Sequence, residues 1–126
     1  MITNNPLVKE NLNALVEVDL FADDSHHDVL KRVRDFVHSG YRILTHPLAG
    51  SVKPWETPYR SVMITTEREE KTDMFSLEII EQAIFTLEKS QTRPVVNDGK
   101  VLTDFQLVDL SLLQSALPSA EAQGQH

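Results

Sequence analysis

Strand, short helix, strand, helix, strand, loop, strand, helix, helix is the order of elements that this 126-residue sequence predicts. It is the pattern of a single small α/β domain with a mainly parallel sheet of about four strands flanked by helices. Three observations carry that reading. Val16-Glu-Val-Asp-Leu20 alternates apolar and acidic residues with the period of two of a half-buried strand. Val29, Leu30, Val33, Phe36 and Val37 recur at helical spacing, as do Leu77, Ile80, Ile84 and Leu87. Ile43-Leu44 and Val62-Met-Ile64 are short apolar runs compatible with buried strands.

Residues 1–4 read as a short strand. Asn5-Pro6 then reads as an N-cap followed by proline at the first helical position, with Leu7, Val8, Leu12 and Leu15 lining one side of a short helix. The alternating strand after it belongs near a sheet edge. Ser25 caps the next helix, with Asp28 in the capping-box position and Asp23 and Asp24 suited to its positive end. Gly40 stops that helix. Tyr41-Arg-Ile-Leu-Thr45 and Ser61-Val-Met-Ile-Thr65 are expected as strands on either side of a long loop. A second long helix begins between residues 72 and 76, after the charged run Glu67-Arg-Glu-Glu-Lys71. Pro94 and the turn signal Asn97-Asp-Gly99 predict a loop or small hairpin over residues 92–100. Thr103 and Gln106 then read as the capping box of a last helix, apolar around much of its circumference and ended by Pro118. The domain is expected to occupy residues 1–117, with residues 118–126 a disordered tail.

Cysteine is absent, which excludes disulfides, thiolate metal sites and thiol catalysis by this chain. A formal net charge of -7 argues against general binding of nucleic acid, which depends on displacing phosphate counterions. No apolar run approaches the length of a membrane span and the start of the chain lacks the pattern of an export signal, so a cytoplasmic location is expected, with no membrane partner.

Polar chemistry is densest in residues 45–60. This loop holds three of the six prolines, one of the four glycines and the only tryptophan. From Tyr41 to Ser61 the formal charge is +2, with Arg42, Lys53 and Arg60 against Glu56, in a chain that is acidic overall. A basic, proline-stiffened loop of this kind suits an anion site or a docking loop. Gly50 lets backbone approach an anion, Ser51 donates a hydrogen bond and Lys53 adds a mobile charge, while Thr57, Tyr59 and Arg60 supply further donors. The motif is not a Walker loop. The same residues read equally as a stiff cover for a sheet end, or as an oligomer contact through Trp55.

Thr45 and His46 end one expected strand, and Asn4 and Asn5 end another, which brings all four to one rim of a parallel sheet. His46 is the weak candidate for a general base, without an identifiable orienting carboxylate or nucleophile; it reads also as a hydrogen-bonded structural residue. Asn4 and Asn5 offer amide donors to a ligand, or simply cap the first helix. Capping explains the Asp23-Asp-Ser-His-His-Asp28 cluster better than a metal does, because adjacent histidines diverge on a helix. Neither a metal nor another cofactor is implied.

The chain resembles the GrdX family, small proteins named for their association with glycine, sarcosine and betaine reductase operons. The residues that carry the resemblance are Ile2-Thr-Asn-Asn-Pro-Leu-Val8, Val33-Arg-Asp-Phe-Val-His38, Thr45-His-Pro-Leu-Ala-Gly-Ser-Val-Lys-Pro54 with Thr57-Pro-Tyr59, and Asp104-Phe-Gln-Leu-Val-Asp-Leu110. The resemblance implies a setting, the selenium-dependent reductases, and no catalytic residues. Without cysteine or selenocysteine this chain is not the redox-active component, which leaves an accessory role through the 45–60 loop, with reductase subunits as partners. The alternative is an enzyme or sensor that holds a small anionic metabolite or nucleotide in the same loop. A homodimer is expected from the apolar last helix.

Overall fold

The computed structural model describes residues 1–48, 57–90 and 99–122, leaving aside the side chains of residues 90 and 118–122. In chain order these residues form strand β1 (Ile2–Thr3), helix α1 (Pro6–Leu12), strand β2 (Asp19–Leu20), helix α2 (His26–His38), strand β3 (Ser61–Val62), helix α3 (Met74–Ser90) and helix α4 (Gly99–Ala122).

Alternation of side chains along the central strands sets the layers. Ile2, Val62 and Ile64 face Val29, Leu30, Val33 and Val37 of α2 and Ile80, Ala83, Ile84 and Leu87 of α3. Their sequence neighbours Met1 and Met63, with Val16 and Val18, turn the other way onto Val8 and Leu12 of α1 and Leu110, Leu113 and Leu117 of α4. The sheet therefore separates two helix pairs, α2 with α3 on one face and α1 with α4 on the other. Among the described residues no helix is long and apolar enough to cross a membrane.

The sheet itself corrects the expectation of about four mainly parallel strands. It has three strands in the order β2-β1-β3 and is mixed. β1 and β2 are parallel, with Ile2 opposite Asp19, whereas β1 and β3 are antiparallel, with Ile2 opposite Val62. The segment expected as a fourth strand reaches its neighbour only through the isolated antiparallel bridge Ile43–Ile64. Backbone bonds from Leu44 N to Met63 O at 2.8 Å and from Thr65 N to Arg42 O at 2.9 Å flank that bridge. Hydroxyl groups take the neighbouring donors: Arg42 N donates to Thr65 Oγ1 at 3.1 Å, Ile43 N to Ser76 Oγ at 3.0 Å and Met63 N to Thr45 Oγ1 at 2.9 Å. Side-chain oxygens thus satisfy amides that a longer ladder would have used. The direction of the pairing has its own cause, since a link from residue 45 to residue 61 without a helix pattern suits antiparallel neighbours better than a parallel crossover.

Local signals position the helix starts. Asn5 is the N-cap of α1, with Oδ1 accepting from Leu7 N at 3.1 Å and Pro6 in the first turn. Ser25 caps α2 through the bond from Asp28 N to its Oγ at 3.1 Å. Asp73 does the same for α3, its Oδ2 accepting from Ser76 N at 3.1 Å and from Ser76 Oγ at 2.7 Å. α4 departs from expectation at both ends. It begins at Gly99, so Thr103 lies inside it and its Oγ1 bonds back to Gly99 O at 2.9 Å instead of capping. It also runs past Pro118 to Ala122, losing one intrahelical donor without stopping there. Most of the hairpin expected over residues 92–100 lies outside the described residues, as do Gly50, Ser51, Lys53 and Trp55.

Candidate functional site

Where β1 ends, two asparagines meet the returning chain. Asn4 is buried and uses its whole amide: Nδ2 donates to Pro58 O at 2.8 Å and to Asp24 O at 3.0 Å, and Oδ1 accepts from Arg60 N at 2.9 Å. It therefore holds residues 58–60 against β1 and the start of α2. Asn5 does the corresponding work for α4, with Nδ2 donating to Gln106 O and to Asp109 Oδ2, each at 3.0 Å.

A directed chain of hydrogen bonds runs beside them. Asn5 N donates to Thr3 Oγ1 at 2.9 Å, the Thr3 and Ser61 hydroxyls are 2.6 Å apart, and Ser61 Oγ donates to Asp109 Oδ2 at 2.6 Å. Since Ser61 gives its one proton to the carboxylate, Thr3 must donate to Ser61. Every donor in the chain points toward Asp109. Burial nevertheless outweighs these bonds and raises the Asp109 pKa above its ordinary value of 3.8, while Ser61, Asn5 and then Arg60 act to lower it.

Arg60 stands across from this carboxylate. It is 5% exposed. Burial lowers its pKa, and the charge of Asp109 opposes that effect. Arg60 and Asp109 line two adjoining clefts together with Leu112. One, of about 40 Å³, is completed by Thr45, His46, Pro47, Ser61, Leu113 and Ala116. The other, of about 70 Å³, is completed by Thr57, Tyr59, Phe105 and Val108. Tyr59 is held by Gln106, whose Nε2 donates to its hydroxyl at 2.7 Å, and Thr57 O accepts from His26 Nδ1 at 3.0 Å. Burial first, and the Arg60 charge second, lower the His26 pKa. His46 is exposed at the mouth, with Nδ1 accepting from Leu48 N at 3.1 Å.

The structure thus brings Thr45, His46, Thr57, Tyr59 and Arg60 to one site, and places Asn4 and Asn5 beneath it as its scaffold. Gly50, Ser51 and Lys53 lie outside the described residues. Asp109 and Ser61 were not singled out by sequence reasoning. The available signal was a lone carboxylate three residues after Gln106 and four before Leu113, which puts it on the inner side of an apolar helix. Among the described residues no group of three His, Asp or Glu side chains converges as a metal site would require.

The GrdX-like protein family matches residues 1–118. The chain belongs to that family. The match takes in every described residue of the site, from Asn4 to Ala116, so this cleft is part of the GrdX-like domain itself. No curated protein and no solved structure matches the GrdX-like chain.

Asp109 gives this site a pH signature. Because its folded-state pKa is raised, the native protein binds that proton more tightly than the unfolded chain does. The associated stability is fully present below the ordinary value of 3.8 and is lost as pH rises through the folded-state value. Asp109→Asn is expected to remove that falling slope while leaving an oxygen to accept from Ser61 and Asn5. Urea midpoints for both proteins between about pH 4 and 7 test this. A difference curve that is flat, or that slopes the other way, removes the assignment.

Proposed function

We propose that this GrdX-like protein is a cytoplasmic, non-redox accessory of a glycine, sarcosine or betaine reductase system, and that it docks on a reductase component through the cleft face. Family membership supports the setting. The absence of cysteine supports a role outside electron transfer by this chain. The observation that carries the docking reading is the outer side of α4. Val108 and Leu112 are 48% and 40% exposed there, and with Phe105 they form an apolar wall beside Tyr59. Apolar side chains next to an aromatic and a buried arginine make the kind of patch in which binding energy concentrates.

The test is co-purification of named reductase components with the tagged chain from cells that produce the reductase. Wild type should retain a component, whereas Val108→Asp and Leu112→Asp should retain at least tenfold less while keeping a native circular dichroism spectrum. Recovery of no reductase component with wild type would sink the proposal. The alternative, a sensor or enzyme for a simple anion or nucleotide, is favoured by Arg60 lining both clefts. Asp109 counts against it, because an anion held there would face a carboxylate in the same cleft.

A further inference from the structure

We propose that the outer face of α3 is the contact surface between two copies of this chain, packed antiparallel about a twofold axis midway between Glu78 and Gln82. The proposal is independent of the docking reading, which uses α4 on the opposite side of the sheet, and it moves the expected homodimer contact from α4 to α3.

Exposure points to the face. Met74, Phe75 and Phe85 are 68%, 72% and 66% exposed, the highest values for large apolar side chains among the described residues, and all three stand on α3. The helix buries its other side, where Ile80, Ala83, Ile84 and Leu87 join the core. Single exposed apolar residues are ordinary on a protein surface, whereas two phenylalanines and a methionine grouped on one helix mark a contact.

The order of residues on that face selects the occupant. Phe75, Glu78, Gln82 and Phe85 follow one another at steps of three, four and three residues, the spacing of a coiled-coil seam, and all four are exposed. In either direction the seam has an aromatic ring at each end and two polar side chains between. Laid antiparallel on itself, it sets Phe75 against Phe85 of the second copy and Phe85 against Phe75, with Glu78 against Gln82 twice in the middle. Rings meet rings, and each glutamine amide can donate to a carboxylate. A parallel arrangement sets Glu78 against Glu78 and is opposed by like charge. Such reciprocity, in which each residue meets the one that meets it, is what an isologous twofold contact requires.

The flanks agree with this register. Half-buried Ile79 lies on one side of the seam near the axis, where it meets its own copy. Glu81 lies near the axis on the other side, and each copy brings a cation beside it, with Arg34 Nη1 3.6 Å from Glu81 Oε1. Glu88 is turned to α2 and away from the seam, with His27 Nε2 at 3.5 Å from its Oε1. A contact made by one pair of helices is small, so a dissociation constant on the order of 10 μM is expected. Dimerisation through α3 leaves α4 open on both copies.

The experiment is sedimentation velocity of the purified full chain from about 1 μM to about 1 mM, where monomer should give way to dimer. Phe75→Asp and Phe85→Asp should each raise the dissociation constant at least tenfold with a native circular dichroism spectrum, because both rings are exposed. Val108→Asp on α4 should leave it within twofold. Because the chain has no cysteine, single cysteine variants report the orientation. Gln82→Cys, near the axis, should link to its copy through a short bismaleimide, whereas Lys89→Cys, roughly 27 Å from its copy along the helix direction, should not. A chain that stays monomeric at the highest concentration overturns the inference. So does a dimer indifferent to both aspartates, one abolished by Val108→Asp, or one in which Lys89→Cys links to its copy.

Discussion

Asn4→Ala is expected to lower stability by roughly 3 kcal/mol or more, which for a domain of this size corresponds to a fall of roughly 10 °C in Tm. The reason lies in the number of buried partners it abandons. Alanine leaves Pro58 O, Asp24 O and Arg60 N without the amide that now meets them at 2.8, 3.0 and 2.9 Å. Each unmet buried polar group costs about 1–3 kcal/mol, and relaxation of the loop recovers part of the sum. Asn4→Asp should be at least as damaging. It keeps an acceptor for Arg60 N but sets a second oxygen against two carbonyl oxygens. Asn11 provides the contrast, because it is exposed and its Nδ2 bonds only to Leu7 O at 2.8 Å. Asn11→Ala should stay within about 0.5 kcal/mol of wild type. Urea and thermal unfolding of the three variants decide the matter, and an Asn4→Ala midpoint equal to that of Asn11→Ala would show that Asn4 does not hold the loop.

What could be read beforehand depended on the distance between partners. Asn5 with Pro6, and Ser25 with Asp28, are capping signals written within a few residues, and both caps form where expected. The alternating Val16–Leu20 run likewise ends in β2, at the edge of the sheet. Pairing of residues 41–45 was not legible. Its apolar core suggested a full strand, but the hydroxyls that take its amides belong to Thr65 and Ser76, 23 and 33 residues away. Nothing local marks a hydroxyl that will replace a ladder bond. Thr103 failed for a related reason, since the same side chain can cap a helix or bond back inside one.

The site divides along the same line. Residues 45–60 stood out in composition, and its described members Thr45, His46, Thr57, Tyr59 and Arg60 do line the clefts. The complementary charge did not stand out. Asp109 acquires its meaning from Ser61 and Asn5, which are 48 and 104 residues distant in the chain. A reading confined to the loop finds its cations and therefore expects an anion. Folding α4 against the loop adds a carboxylate to the same clefts.

Gly40→Ala should destabilise the fold by roughly 2–5 kcal/mol without altering the site. Gly40 follows α2 with φ of +111°, a backbone conformation that L side chains rarely adopt. A Cβ placed there would lie 2.0 Å from Glu69 O, a backbone atom that no side-chain rotation can move aside. The conformation alone costs an L-residue about 1–2 kcal/mol, and relieving the overlap adds about 1–3 kcal/mol. Retreat of residue 69 would also stretch the bond from Glu69 N to Gly40 O, now 3.0 Å. Gly99 supplies the control, with nothing within 4 Å of an added Cβ at the start of α4. Gly99→Ala should be neutral or stabilising by up to about 1 kcal/mol. Thermal unfolding of the two variants checks the pair, and equal melting temperatures would mean that the turn after α2 is not built as described.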